Sequence, residues 1–413
     1  MKILQLSKKF PYPLKDGESL AISYLSKAYH QLGAEVSLLA MNTTKHPFSL
    51  HQVPEEYDQY AAIHSVRVDN HLRWQDAFRN LFTRASYHIS RFESSAYAKK
   101  LESILRSNQF DIIQLETVYL APYIPLIRSL TATPIVMRAH NVEYEIWERI
   151  AQNTSNPLKR TYLNLLTHRL RRYEVEQLSN YDLLLAITQR DLDHFRKKGY
   201  RGEAVHIPIG LDLDLYTPDW SSFQHPLSIS FIGSLDWMPN LEGIAWFLDK
   251  VWPQVHRQFP KVELHIAGRN TPESFRQKYQ TPQVRIHGEV EDARAFINQH
   301  SMMVVPLLSG SGMRAKILEG MALGKAVLTT RLGLEGIKAD HQKTVLTADD
   351  PDEFLNAVEW ATQHPTALEE VGRAARQQVA SLYSNLTIAE VAIQKFQALK
   401  AASQPSVQKK KVW

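Results

Sequence analysis

The chain contains no cysteine, so disulfides, thiolate zinc sites and thiol nucleophiles are all excluded. It has no uninterrupted apolar run near the ~18–20 residues needed to cross a bilayer. After Lys2, the short run Ile3–Leu6 is broken by Ser7, Lys8 and Lys9 and does not open a secretory leader. Charge of one sign is scarce too: a net +5 over 413 residues is too mild to announce nucleic acid. The Gly-x-Gly-x-x-Gly fingerprint is missing, and Gly324-Lys325 precedes Ala326, not the Ser or Thr of a P-loop. No His-Glu-x-x-His pair or compact histidine cluster occurs, so neither a metal site nor a cofactor is expected. Together these absences suggest a cytoplasmic protein.

What the chain does contain is one rhythm written twice. Runs rich in Ile, Leu and Val occur at Ile3–Leu6, Val36–Met41, Ile112–Leu115, Pro134–Met137, Leu183–Ile187 and Val205–Ile209. They resume at Ile229–Ile232, Val262–Ala267, Val284–Ile286, Met302–Leu307, Ala326–Thr329 and Thr344–Leu346. Such runs, with little polar alternation, read as parallel strands buried on both faces. Helical periodicity fills the gaps, as in Leu20, Tyr24, Leu25, Ala28, Tyr29 and Leu32, closed by Gly33. The expected fold is α/β, with two doubly wound, Rossmann-like domains facing across a crevice. Pro208, Gly210, Pro218 and Pro226 punctuate the joint. This places an N-terminal domain at 1–215, a C-terminal domain at 226–385, and a C-terminal helix with a disordered basic tail at 386–413.

The densest chemical signal runs from Pro306 to Thr330. A buried strand enters the small-residue turn Ser309-Gly-Ser-Gly312, and a helix follows from about Met313 to Leu323. Glycines let backbone approach a ligand, and the free N–H groups of a first helical turn attract anions. Arg314 and Lys316 both fall within that first turn, where a cation is slightly unfavourable unless an anion answers it. Phosphate binding fits this pattern. Glu319, further into the helix, suits either a ribose-binding carboxylate or a surface acid paired with Arg or Lys.

This segment resembles the donor-binding region of family 4 glycosyltransferases, retaining enzymes with the two-domain GT-B fold. The family carries two glutamates seven residues apart; Glu319 matches the ribose-binding one, and Ser311 stands in place of the one nearest the donor sugar. Ser311, Gly312 and Met313 belong to a Gly-Ser-Gly-Met-Arg-x-Lys form of the loop, which resembles a branch of the family. Pro208-Ile-Gly-Leu-Asp212 is similar to the family's interdomain linker. His265-Ile-Ala-Gly268 and His287-Gly288-Glu289 match its second and third C-domain strands, where loop backbone holds the base. Gly233-Ser-Leu-Asp236 stands where many relatives place an Arg and a Lys on the phosphates, and the resemblance implies that Arg314 and Lys316 replace them. Gly17, in Asp16-Gly-Glu18, matches the turn beneath the diphosphate. His140, in Arg138-Ala-His-Asn-Val-Glu143, matches a histidine placed against the donor sugar or β-phosphate. The implied partners are a nucleotide-sugar donor and a glycan or lipid-linked acceptor, with no nucleic acid.

The resemblance implies retaining transfer without a protein nucleophile, in cell-surface polysaccharide synthesis. Another GT-B enzyme, such as an epimerase or phosphorylase, and a non-catalytic nucleotide-binding scaffold remain alternatives. Trp237, Trp246 and Trp252 suit core or interdomain packing better than a sugar platform. Finally, residues 149–173 hold no acid, whereas Lys159, Arg160, Arg169, Arg171 and Arg172 alternate with leucines. Lys159–Arg172 therefore reads either as a solvated helix face or as a peripheral contact with anionic lipid at the inner face of the membrane, or with a phosphorylated acceptor.

Overall fold

The computed structural model describes all residues except 15, 45–46, 50–52, 54–56, 72–79, 81–82, 84, 311 and 404–413. The chain divides into two compact units, Met1–Pro208 with Leu386–Trp413, and Ile209–Asn385. The division falls earlier than the expected joint at 215–226. The helix Asn385–Ser403 is no separate appendage either. Its Ile388, Ala389, Ala392 and Phe396 are buried with Ile3, Tyr29 and Val36 in the first unit's core. Phe396 lies 5.8 Å from the Tyr29 ring, and Lys400 pairs with Asp111 at 2.6 Å. Most of the expected disordered tail lies outside the described residues.

In the first unit the described strands are β1 (Lys2–Ser7), β2 (Glu35–Thr43), β3 (Ala62–Val68), β4 (Ile112–Leu115), β5 (Ile135–Ala139), β6 (Leu183–Ala186) and β7 (Glu203–His206). They pair in parallel in the order β3-β2-β1-β4-β5-β6-β7. The central strands are buried on both faces, as their unbroken apolar runs require. The sequence reading passed over β3, Ala-Ile-His-Ser-Val-Arg-Val, because an edge strand needs no such run; it is largely half-buried. It also set β7 too late: Ile207–Ile209 lie beyond the strand.

The second unit holds β8 (Ser228–Ile232), β9 (Glu263–Ala267), β10 (Val284–Gly288), β11 (Met302–Val305), β12 (Ala326–Thr329) and β13 (Leu346–Thr347), again parallel, in the order β10-β9-β8-β11-β12-β13. Helix ends follow the caps in the sequence. Asp350 accepts from Glu353 N–H with Pro351 at the first position, and Gly33 closes the helix Gly17–Gln31 at φ +81°. Trp252 is buried and Trp246 packs edge-on to Phe354, whereas Trp237 is 55% exposed and does not join the core. Among the described residues, no helix is long and apolar enough to cross a membrane.

In each unit the strand order reverses between two neighbours: β1 and β4 in the first, β8 and β11 in the second. Ligands of doubly wound sheets bind beyond the carboxyl ends of the strands at such a reversal. Both candidate sites are built there.

Candidate active site

In the second unit β11 leads through Pro306–Gly310 to the helix Ala315–Ala322. The turn is held open by two left-handed glycines, Gly310 at φ +110° and Gly312 at φ +80°, a conformation that side chains resist. Helix Met238–Lys250 backs it so closely that a Cβ on Gly243 would lie 2.1 Å from Pro306 O. The expected helix start was two residues too early. Arg314 is the residue before the first turn, in extended backbone, and its guanidinium donates back to Gly312 O. Only Lys316 lies in the first turn itself.

Lys316 Nζ donates to Ile232 O at 3.0 Å and to Asn240 Oδ1 at 2.8 Å, both neutral, and stands 5.1 Å over the Phe231 ring. Burial, reinforced by the Arg314 charge, pushes its pKa down to about 7. The ammonium rests against Gly233, where a Cβ would come within 2.5 Å of Nζ. A side chain larger than hydrogen at 233 would occupy the place of Lys316. That accounts in steric terms for glycine at the end of β8.

Gly268 N–H donates to Gly288 O at 2.7 Å, and a Cβ on Gly268 would meet Gly233 O at 2.1 Å. The carboxyl ends of β8, β9 and β10 thus form one continuous backbone rim. Gly288, at φ +77°, belongs to it; Glu289 follows on the surface. Met313 is buried beneath the turn, and Ser311 lies outside the described residues. Glu319 Oε1 accepts from Tyr216 OH at 2.9 Å, and burial raises its carboxyl pKa despite that bond and nearby Lys316. Arg376 in turn holds Tyr216 O at 2.6 Å.

The first unit places Gly17 at the start of the helix Gly17–Gln31, next to its cap Asp16, which Lys9 grips at 2.6 Å. Lys8 pairs with Glu18 at 3.4 Å. His140 follows β5 and donates through Nε2 to Glu116 Oε2 at 2.9 Å. Glu116, just after β4, is fully buried. It also accepts from Gln5 at 2.6 Å, Gln114 at 2.5 Å and Arg138 at 3.3 Å. Burial alone would raise its pKa, but Arg138 and His140 more than offset this and hold it at about 2. The helix completes the network: Ser26 donates to Gln5 Oε1, Tyr29 to Gln114 Oε1, and Ala21 O receives Arg138.

Residues 17–215 match the sequence model described as Glycosyltransferase Family 4, and residues 226–364 match that of Glycosyl transferases group 1. The chain belongs to the family 4, group 1 glycosyltransferases. This glycosyltransferase is 22% identical to an uncharacterized 44.6 kDa protein in the cps region of Klebsiella pneumoniae, over 90% of this chain and 93% of that one. Its fold is similar to sucrose-phosphate synthase from Thermosynechococcus elongatus, with TM-score 0.70 and 16% identity, covering 97% of this chain and all of that one. It is also similar to Anabaena HepE in complex with UDP-glucose, with TM-score 0.64 and 14% identity, covering 96% of this chain and all of that one. At these identities the solved structures speak for the GT-B fold alone.

Sequence reasoning about this glycosyltransferase missed Glu116. An acid after a short strand reads as solvated, and three of its four side-chain donors, Gln5, Gln114 and Arg138, lie on three different strands. One signal was available: Gln5 and Gln114 are polar residues inside otherwise apolar runs, and they sit side by side in the β1–β4 register. Among the described residues, no group of three or more His, Asp or Glu is arranged to hold a metal.

Proposed function

We propose that this chain transfers a sugar from a nucleoside-diphosphate sugar to a glycan or lipid-linked acceptor, with retention of configuration and without a resident metal. One observation carries the reading: Lys316, its ammonium held among the described residues only by neutral oxygens, stands beside the glycine turn at the β8–β11 reversal, where backbone from three strand ends converges. A diphosphate is the anion that such a cradle suits. The HepE complex with UDP-glucose supports a nucleotide-sugar donor, and the relative from a cps region supports a role in polysaccharide synthesis.

In this reading Glu319 accepts the ribose hydroxyls, and the Gly233–Gly288 rim receives the base. The acceptor oxygen forms its bond to the anomeric carbon as the bond to phosphate breaks. The departing phosphate oxygen takes the acceptor's proton on the same face. Arg314 and Lys316 stabilise the charge that grows on the leaving diphosphate, so they act most strongly in the transition state. His140, held by ionised Glu116, presents its other ring nitrogen to the donor sugar.

A panel of nucleotide sugars tests the reading through thermal stabilisation followed by transfer assays. One donor should raise Tm and be turned over, with activity surviving EDTA. His140→Ala should keep nucleotide affinity while transfer falls sharply. No stabilisation by any nucleotide sugar would defeat the donor assignment. Loss in EDTA restored by manganese would defeat the metal-free one.

A further inference from the structure

The helices Glu143–Gln152 and Pro157–Gln177 run as a hairpin joined by residues 153–156. On the longer helix Leu163, Leu166, Thr167, Leu170 and Glu174 are buried. The opposite stripe, Leu158, Thr161, Leu165, His168 and Arg172, recurs every three to four residues and is exposed. Leu158 is 83% exposed and Leu165 38%, while Ile150, in the last turn of the other helix, is 39% exposed. Lys159 and Arg160 flank Leu158 on the surface, and residues 150–173 contain no acid.

We propose that this hairpin tip seats the protein on an anionic lipid bilayer. Exposed aliphatic side chains on a basic tip fit the boundary between headgroups and acyl chains, with the lysine and arginine heads at phosphate level. A protein partner fits less well. Three separated aliphatic side chains fall far short of the ~800 Å² per partner of a stable interface, and a bilayer needs no shape complementarity.

Flotation of the full chain with vesicles of phosphatidylcholine, alone or mixed with phosphatidylglycerol, tests this. Binding is expected only to the mixed vesicles and should weaken with salt. Lys159→Glu with Arg160→Glu should lower it roughly 25-fold or more, at about fivefold for each cation lost. Leu158→Ser should weaken it as well. Both variants should keep the wild-type Tm, because these side chains are exposed. Equal binding to neutral vesicles would overturn the proposal, as would unchanged binding in both variants. So would a loss seen only when Lys409, Lys410 and Lys411 are replaced by Gln. A wild-type dimer that Leu158→Ser converts to monomer in light scattering would also overturn it, assigning the tip to a second copy.

Discussion

If the donor diphosphate sits on Lys316 as proposed, its binding should depend on pH in a direction that can be worked out. In the unliganded protein its pKa is pushed down to about 7 by burial and by Arg314. Below that value the ammonium is charged; above it the amine is neutral and meets a diphosphate without its charge. A bound diphosphate favours the charged form and returns the pKa toward the ordinary lysine value of about 10.4. Binding above neutrality therefore takes up a proton. Affinity should fall about tenfold, or ~1.4 kcal/mol, per pH unit from about pH 7 upward. Stability of the unliganded protein should rise over the same window, because the native state there binds fewer protons than the unfolded chain. A nucleotide sugar suits the assay, since its diphosphate diester has no proton to lose near neutral pH. Calorimetric titration from about pH 6 to about pH 9, in two buffers of different ionisation enthalpy, counts the protons. Lys316→Arg, charged throughout, should flatten the profile; Lys316→Met should bind weakly at every pH. A flat wild-type profile without proton uptake would refute the assignment, as would an unchanged slope in Lys316→Arg.

Glu319→Ala should weaken nucleoside diphosphate binding by roughly 1–3 kcal/mol, the scale of lost charge-assisted hydrogen bonds; calorimetry checks this, and wild-type affinity would return Glu319 to a partner of Tyr216 alone. Glu116→Gln should lower transfer more than nucleotide affinity and shift the pH–rate profile, because the carboxylate that orients His140 is lost; lowered Tm with an unaltered profile would make the network purely structural. His265 stacks on His287 with centroids 5.3 Å apart, His300 lies tilted against His265 at 4.3 Å, and burial, then His265, hold His300 down at about 3. The unfolded chain gains protons near pH 6.5 that the native state refuses, so His300 alone should remove roughly 2 kcal/mol by pH 5. Denaturant melts at pH 7 and pH 5 should show this loss, and His300→Gln should shrink the difference between them.

Much of the candidate site was legible because it is contiguous. The strand, the two left-handed glycines, Lys316 and Glu319 occupy one short stretch, and each has a local reason for its residue type. The helix start was misjudged by two residues because Arg314 continues extended backbone, which its helix-favouring side chain does not announce. Gly233 was found through the family resemblance, but its steric reason, Lys316 lying where a Cβ would be, belongs to a contact between distant segments. Exposed Trp237 was misread because an indole's apolar area suggests burial whatever its position.

The sequence by itself determined two parallel sheets and a glycine turn leading into a helix, since these follow from burial on two faces and from backbone freedom over a few consecutive residues. The tertiary structure decided which strands are neighbours, and with that the Glu116 network, whose Gln5 donor lies 111 residues away. It also decided that the last helix returns to the first unit through Phe396 and Lys400. The physical reason is common to both. A carboxylate becomes a fixed anion, and an apolar stripe a core, only when distant segments exclude water from it. Local periodicity cannot specify those segments.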